Sequence, residues 1–367
     1  MSSQQRTWLV LGVYALLTAV ITQPTLTHLT THIPGSEGDA LNHLWTFQWV
    51  KTALLSGSNP FYTHQLYYPN GVSLLTHNIA WVHIAIWLPL QALIGGAAAY
   101  SLVFIANFTF NAFAFYLFAR EETASETAAF IGGLVCGFWP YTLSHHNHPN
   151  LILISWIPLA MLHLRRLIKG DWRLGTGDYQ QSPLRPSLQF PVSNLQSRRQ
   201  IKPKREVIYT AVSLTLIGLT RWQLLVISLL PLSCYLLYQL SQQPLTRPIL
   251  LRLAAAGILA AILMAPLATP ILIAQFSPAS TTTTLAEESP NQTDLLAYFV
   301  PNRYHPLWGE AAFQLYDNFS INKNFTPSIG YTALLLLLTA AIFRWRKSWF
   351  WLLLAALTIL LALGPNL

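Results

Sequence analysis

The chain has 367 residues, 53% of them hydrophobic and only 9% charged, where a soluble domain carries about 25% charged residues. So few charges cannot cover a water-facing surface, and with a mean hydropathy of +0.41 the composition excludes a secreted enzyme, a DNA-binding protein and a disordered chain. The net charge of +8 is local: ten of the 21 Lys and Arg lie between Arg165 and Arg205, a pattern that reports topology rather than a nucleic-acid partner.

Apolar runs recur at about 7–27, 79–95, 97–118, 127–143, 150–164, 207–220, 224–240, 249–273, 331–343 and 349–363. They predict an all-α polytopic membrane protein with about 9–10 membrane helices, because a spanning backbone must satisfy its own hydrogen bonds. None alternates as barrel strands would. The first run has no cleavage pattern and reads as a retained anchor. A long external loop, 28–78, follows. In it Gly35-Ser36-Glu37-Gly38-Asp39 leads into a helix predicted to begin at Asp39. Leu41, Leu44, Trp45 and Trp49 then share one face, which predicts an interfacial amphipathic helix lying on the membrane surface. The simplest role for Asp39 is that of a helix cap. Scarcity favours a second role: Glu37 and Asp39 are the only acids before residue 121. A carboxylate at a membrane surface can deprotonate a hydroxyl or hold a divalent metal beside a phosphate.

Segment 79–94 is short: sixteen residues reach about 24 Å, less than the roughly 30 Å hydrocarbon core. Reading it as a dipping or interfacial helix rather than a crossing puts the basic loop inside and the cluster His145-His146-Asn147-His148 outside. Imidazoles at this spacing can converge. Without a nearby Cys or acid, however, they read as a phosphate- or sugar-binding loop, or as an ordinary interfacial turn, rather than a structural metal site. Residues 170–206 form a basic, Pro/Ser/Gln-rich insertion, expected to be disordered and cytoplasmic. Arg221 lies in a membrane-level turn, where a charge is costly unless used; snorkelling to the interface is the alternative. A second external loop, 275–330, holds five acids with Arg303 and Lys323, and His305 between Tyr304 and Pro306. Arg247, Arg252, Arg344, Arg346 and Lys347 join the basic loop on the cytoplasmic side. Cys136 and Cys234 lie in apolar runs and imply no disulfide framework. The end at Gly364–Leu367, directly after an apolar run, reads as a truncation of a longer protein.

The order of these pieces resembles the GT-C glycosyltransferase superfamily, in its bacterial dolichyl-phosphate-mannose-type branch. The resemblance is carried by the first span, the external loop with Gly38-Asp39 and a following Trp, and Leu66-Tyr67-Tyr68-Pro69-Asn70-Gly71. Trp139-Pro140-Tyr141 with the His cluster, Trp156-Ile157-Pro158 and Val300-Pro301-Asn302-Arg303-Tyr304-His305 complete it. It implies a single transmembrane catalytic domain over 1–367 in a prokaryotic plasma (inner) membrane, with the active site on the external face. It also implies a polyprenyl-phosphate-linked sugar donor, an external acceptor and surrounding membrane lipids as partners, with no nucleic acid. Asp39 takes the catalytic position, with Glu37 as a second carboxylate. Arg221, His145, His148, Tyr67, Arg303 and His305 are candidates for binding substrate or phosphate. A divalent cation, Mg or Mn, is the one cofactor allowed. Two rivals stay open on sequence: a transporter or flippase of lipid-linked substrates, and a catalytically inactive membrane assembly protein.

Overall fold

A computed structural model describes residues 2–35, 38–169, 203–276, 294–302, 305–319 and 327–363. In chain order the elements are α1 (Ser3–Ile21), α2 (Gln23–Thr27), α3 (Asp39–Ser56), the hairpin strands β1 (Tyr62–Thr63) and β2 (Val72–Ser73), α4 (Trp81–Ile94), α5 (Gly96–Thr123) and α6 (Glu126–Gly137). There follow α7 (Pro140–Ser144), α8 (Pro149–Ile152), α9 (Trp156–Lys169), α10 (Pro203–Thr220), α11 (Trp222–Ser241), α12 (Arg247–Gln275), α13 (Gly309–Leu315), α14 (Tyr331–Phe343) and α15 (Trp345–Ala362). The expected apolar runs all recur as helix. Among the described residues five segments are long and apolar enough to cross a membrane: 96–123, 149–169, 222–241, 247–274 and 345–362. The expected run at 127–143 is broken after Gly137, and that at 150–164 between Ile152 and Trp156. Pro140 and Pro149 each sit at the first position of a new short helix, where a missing N–H costs nothing. The polar insertion, expected to run to 206, ends earlier: Pro203 already starts α10, while 170–202 lie outside the described residues.

Side-chain contacts sort the helix ends into two groups. Arg120 at the end of α5 donates to Thr7 near the start of α1 (2.9 Å). Arg165 and Arg166 at the end of α9 pair with Glu122 (2.7 Å) and Glu121 (3.0 Å). His163 pairs with Glu206 at the start of α10 (2.7 Å), and Tyr235 late in α11 donates to Glu122. Ile249 at the start of α12 packs on Leu167 and Ile168, and Trp351 of α15 on Tyr235. Among the described residues, Lys51 and Arg221 are the lysines and arginines away from this charged end. The segment 170–202 leaves α9 and enters α10 here. From Arg205 to Arg221 helix α10 rises about 24 Å, so Arg221 and its neighbours mark the opposite end.

Helix α4 does not run the length of the bundle. His83 meets Asn107, midway along α5, and Trp87 donates to the Gly96 carbonyl at the start of α5 (3.0 Å). It therefore lines only half of α5. With α4 set aside, α1, α5, α6, α9, α10, α11 and α12 alternate direction between the two ends. The close α5–α6 contact rests on Gly133 and Gly137: a Cβ at Gly137 would stand 2.5 Å from the Ala112 Cα. Small residues four apart let two helix backbones approach where lipid supplies no hydrophobic drive.

Helix α3 begins at Asp39 as expected, but the face it buries is Ala40, His43, Phe47 and Val50. Leu41 is exposed, and Leu44, Trp45 and Trp49 only flank the core. That inner face is buried because Phe47 wedges between Trp87 of α4 (5.7 Å) and Tyr100 of α5 (5.4 Å).

Candidate active site

The end of the bundle opposite the charged network gathers Asp39, His43, His145, His148 and Arg221. Asp39 occupies the first turn of α3, yet the cap residue is Gly38 and no side chain caps the helix. The carboxylate turns away instead: its Oδ2 lies 3.2 Å from His148 Nε2. The two are brought together by a close approach of backbones. Gly35, at φ +112°, has no room for a Cβ, which would stand 2.7 Å from Ala40 Cβ and 2.8 Å from Asn147 Oδ1. The loop before α3 is thereby pressed onto the 145–148 turn.

Buried amides hold that turn from below. Asn107 Nδ2 donates to the Pro149 carbonyl (3.2 Å) and faces His83 Nε2 (3.2 Å). One turn on, Asn111 donates to the Ile152 carbonyl (2.7 Å) and accepts from the Ile154 N–H (3.0 Å). These bonds satisfy backbone groups freed by the helix breaks, which would otherwise be costly at membrane depth. Asn150 adds a bond to the Asn78 carbonyl (3.2 Å).

Aromatic rings line the site in a row. Trp139 stacks on Tyr141 (5.1 Å), Tyr141 on His145 (3.9 Å), His145 neighbours His148 (6.4 Å), and His148 meets His43 edge-on (5.9 Å). The second polar loop braces the far end of the row. Trp139 Nε1 donates to the Ser328 carbonyl, and Asn302 to the Pro140 carbonyl, both at 3.0 Å.

The electrostatics follow from burial beside a cation. Burial, then the nearby imidazoles of His148, His83 and His77 and the Arg221 charge, push His43 down to about 3. Burial pushes His145 down to about 4, against the hydrogen bond that its Nδ1 makes to the Tyr141 carbonyl (2.8 Å). His148 is also lowered by burial, with Asp39 pulling the other way and Arg221 adding to the fall. The His43 and His145 rings are therefore neutral at pH 7, and His148 Nε2 lies within hydrogen-bond reach of the Asp39 carboxylate. One Asp39 oxygen is held, and the side chain is 55% exposed.

Arg221 sits between α10 and α11 as the N-cap of α11, with no side chain capping that helix. Its Nε and Nη2 grip Gln223 Oε1 (2.9 and 2.7 Å). Guanidinium and open helix N-terminus point to an anion, through charge and unsatisfied N–H groups. Beside them runs a tight cleft, walled by Phe61, Leu75, His77 and Trp81 on one side and Gly218, Trp222, Leu267 and Ile271 on the other.

Of the remaining sequence candidates, Glu37 and Arg303 lie outside the described residues. Tyr67 stands at the tip of the β1–β2 hairpin, 79% exposed. His305 serves its own loop, accepting from the Leu307 and Trp308 N–H groups (3.3 and 3.2 Å). Among the described residues, no three His, Cys, Asp or Glu side chains converge to hold a metal ion. The sequence reading gave no site role to His43, His83, Asn107 or Asn111; His83 counted there only against 79–94 as a crossing, and Asn107 only as a sequon match inside a span. The signals were there: His43 is one helical turn beyond Asp39, and two asparagines four apart interrupt an apolar run, where polar groups are expensive.

The chain matches no family model, no curated protein and no solved structure.

Proposed function

We propose that the chain is an integral-membrane glycosyltransferase that moves a sugar from a polyprenyl-phosphate donor to an acceptor on the external face of a prokaryotic plasma membrane. The observation that carries it is the carboxylate of Asp39, held 3.2 Å from His148 Nε2, an imidazole that also feels the Arg221 charge, at the end of the bundle away from the basic network. The positive-inside rule then assigns the basic end to the cytoplasm and Asp39 to the outside. It also makes the half-length α4 the segment that dips without crossing.

In this reading the prenyl chain lies along the apolar surface beside Phe61, Trp81 and Trp222. The phosphate meets Arg221 and the N-terminus of α11. The acceptor oxygen attacks the anomeric carbon, and the bond from that carbon to the phosphate oxygen breaks. The electron pair leaves on phosphate, where Arg221 offsets the growing charge. Asp39 takes the acceptor proton as general base, and His148 fixes which oxygen is presented. A single displacement inverts the anomeric centre.

The test is transfer by the full chain in lipid nanodiscs from radiolabelled polyprenyl-phosphate sugars to a cell-envelope extract. Asp39→Asn, which keeps the size and loses the base, is expected to cut kcat by 10²–10⁴, the usual worth of a positioned base. Full activity in that variant sinks the assignment. The helix breaks around the buried polar residues also suit a transporter or flippase of lipid-linked substrates, since carriers build their sites at interrupted helices. Flipping of a fluorescent prenyl-phosphate lipid without transfer would favour that reading.

A further inference from the structure

The hairpin between α3 and α4 ends in two tyrosines that nothing in the fold requires. Tyr67 is 79% exposed and Tyr68 85%. Tyr67 also holds φ at +53°, a conformation that side chains other than glycine seldom adopt. The strained tip is pinned from several sides. The Gly71 N–H donates to the Tyr67 carbonyl (3.0 Å), Tyr62 Oη donates to the Asn70 carbonyl, and His64 Nδ1 meets the Pro69 carbonyl (3.2 Å). Gly71 itself, at φ +75°, leaves no space for a Cβ beside the Thr63 carbonyl (2.7 Å). A backbone outlier so firmly held, presenting two rings to the outside, is the kind of strain that folds keep for a ligand.

The chemistry of that ligand follows from what surrounds the rings. No Asp, Glu, Lys or Arg occurs between Lys51 and Arg120, so the hairpin has no charge to offer an anion or a cation. Gln65 and Asn70 flank the tyrosines and are exposed; burying their amides in hydrocarbon would be costly, which counts against a lipid anchor. Uncharged amides beside two phenols fit a neutral polyhydroxyl ligand, whose CH faces lie on the rings and whose hydroxyls meet amide and phenol. Tyrosine gives such contact area at little cost in side-chain freedom, and a pinned tip is organised before binding. The base of the same hairpin, Phe61 and Leu75, forms one wall of the cleft beside Arg221.

We propose that Tyr67 and Tyr68 are a binding platform for a neutral saccharide, and that this saccharide is the acceptor. Its role as acceptor rests on the glycosyltransferase reading; saccharide binding at the hairpin does not. The experiment uses the full chain in nanodiscs, titrated with maltopentaose, chitopentaose and mannopentaose and followed by saturation-transfer NMR. At least one probe is expected to bind. The double variant Tyr67→Ala/Tyr68→Ala is expected to lose at least tenfold in affinity with an unchanged melting curve, while Gly12→Ala, where a Cβ meets nothing within 4 Å, binds as the parent does. Binding that follows this pattern supports the platform even if no transfer is ever seen, in which case only the transferase reading fails. Equal binding by the double variant, or no binding of any of the three probes, overturns the platform. So does quenching of a fluorophore at Tyr68→Cys by brominated lipid rather than by aqueous iodide, which would place the tip in the membrane.

Discussion

Replacing Asn107 with leucine tests whether buried amides hold the 145–148 turn. The side chain is 2% exposed. Its Nδ2 donates to the Pro149 carbonyl and faces His83 Nε2, each at 3.2 Å. Leucine has nearly the same volume, so the cavity term is small, but it leaves both partners buried and unpaired. An orphaned buried polar group costs about 1–3 kcal/mol, and interhelical bonds in membrane proteins average only about 0.6 kcal/mol because the unfolded chain in lipid finds other partners. Taking about 1–2 kcal/mol for each of the two orphans, Asn107→Leu should lose about 2–4 kcal/mol. Removing the second partner as well, in Asn107→Leu/His83→Leu, should return about 1 kcal/mol of that, since apolar replacement of both ends of a pair is nearly neutral. The assay is reversible unfolding in mixed micelles with a rising fraction of dodecyl sulfate, followed by tryptophan fluorescence. A loss below about 0.5 kcal/mol in the single variant, the scatter expected for an uninvolved site, would refute the argument, as would a double variant worse than the sum of the singles.

Stability should also fall with acid in a stated window. His43 and His145 sit at about 3 and 4 in the folded chain against 6.5 unfolded, so the unfolded chain binds the protons first and stability is lost as pH drops below 6.5. From pH 7 to pH 5 the loss is about 2 kcal/mol per ring, and His43→Gln should flatten the slope; a pH-independent unfolding midpoint over that range contradicts it. Gly137→Leu places side-chain carbon against the Ala112 backbone and should cost about 3 kcal/mol or more by forcing α5 and α6 apart. The control Gly12→Leu, with nothing within 4 Å of a Cβ, should be neutral, and equal melting of the two variants would show that the close approach is not needed. Single cysteines at Asp178 and Asn70, in a chain cleared of Cys136 and Cys234, should react with impermeant maleimide from opposite sides of a sealed vesicle. Reaction from one side only would overturn the two-ended arrangement.

The membrane class, the helical runs, the start of α3 at Asp39 and the ends of the chain that carry basic charge were all legible in sequence. Each rests on a local or additive property: hydropathy summed over a run, residue preference at a helix start, lysine and arginine placement. Segment 79–94 was suspect from its length, from His83 and Pro89 within it and from the side on which the basic loop must lie, and in the structure it is a helix that lines half of α5. Tertiary contacts decided the rest. Asp39 and His148 are far apart in sequence and meet because Gly35 admits the backbone of the 145–148 turn. Arg221 joins them because α10 runs back from the charged end, a matter of packing that no local pattern encodes. The same holds for His43 and Asn107: hydropathy sees a polar residue in an apolar run, but only the fold reveals which imidazole or carbonyl it was placed there to meet. The face buried by α3 was likewise set by Trp87 and Tyr100 on other helices, since a helix with large side chains all round leaves the choice of inner face to its neighbours.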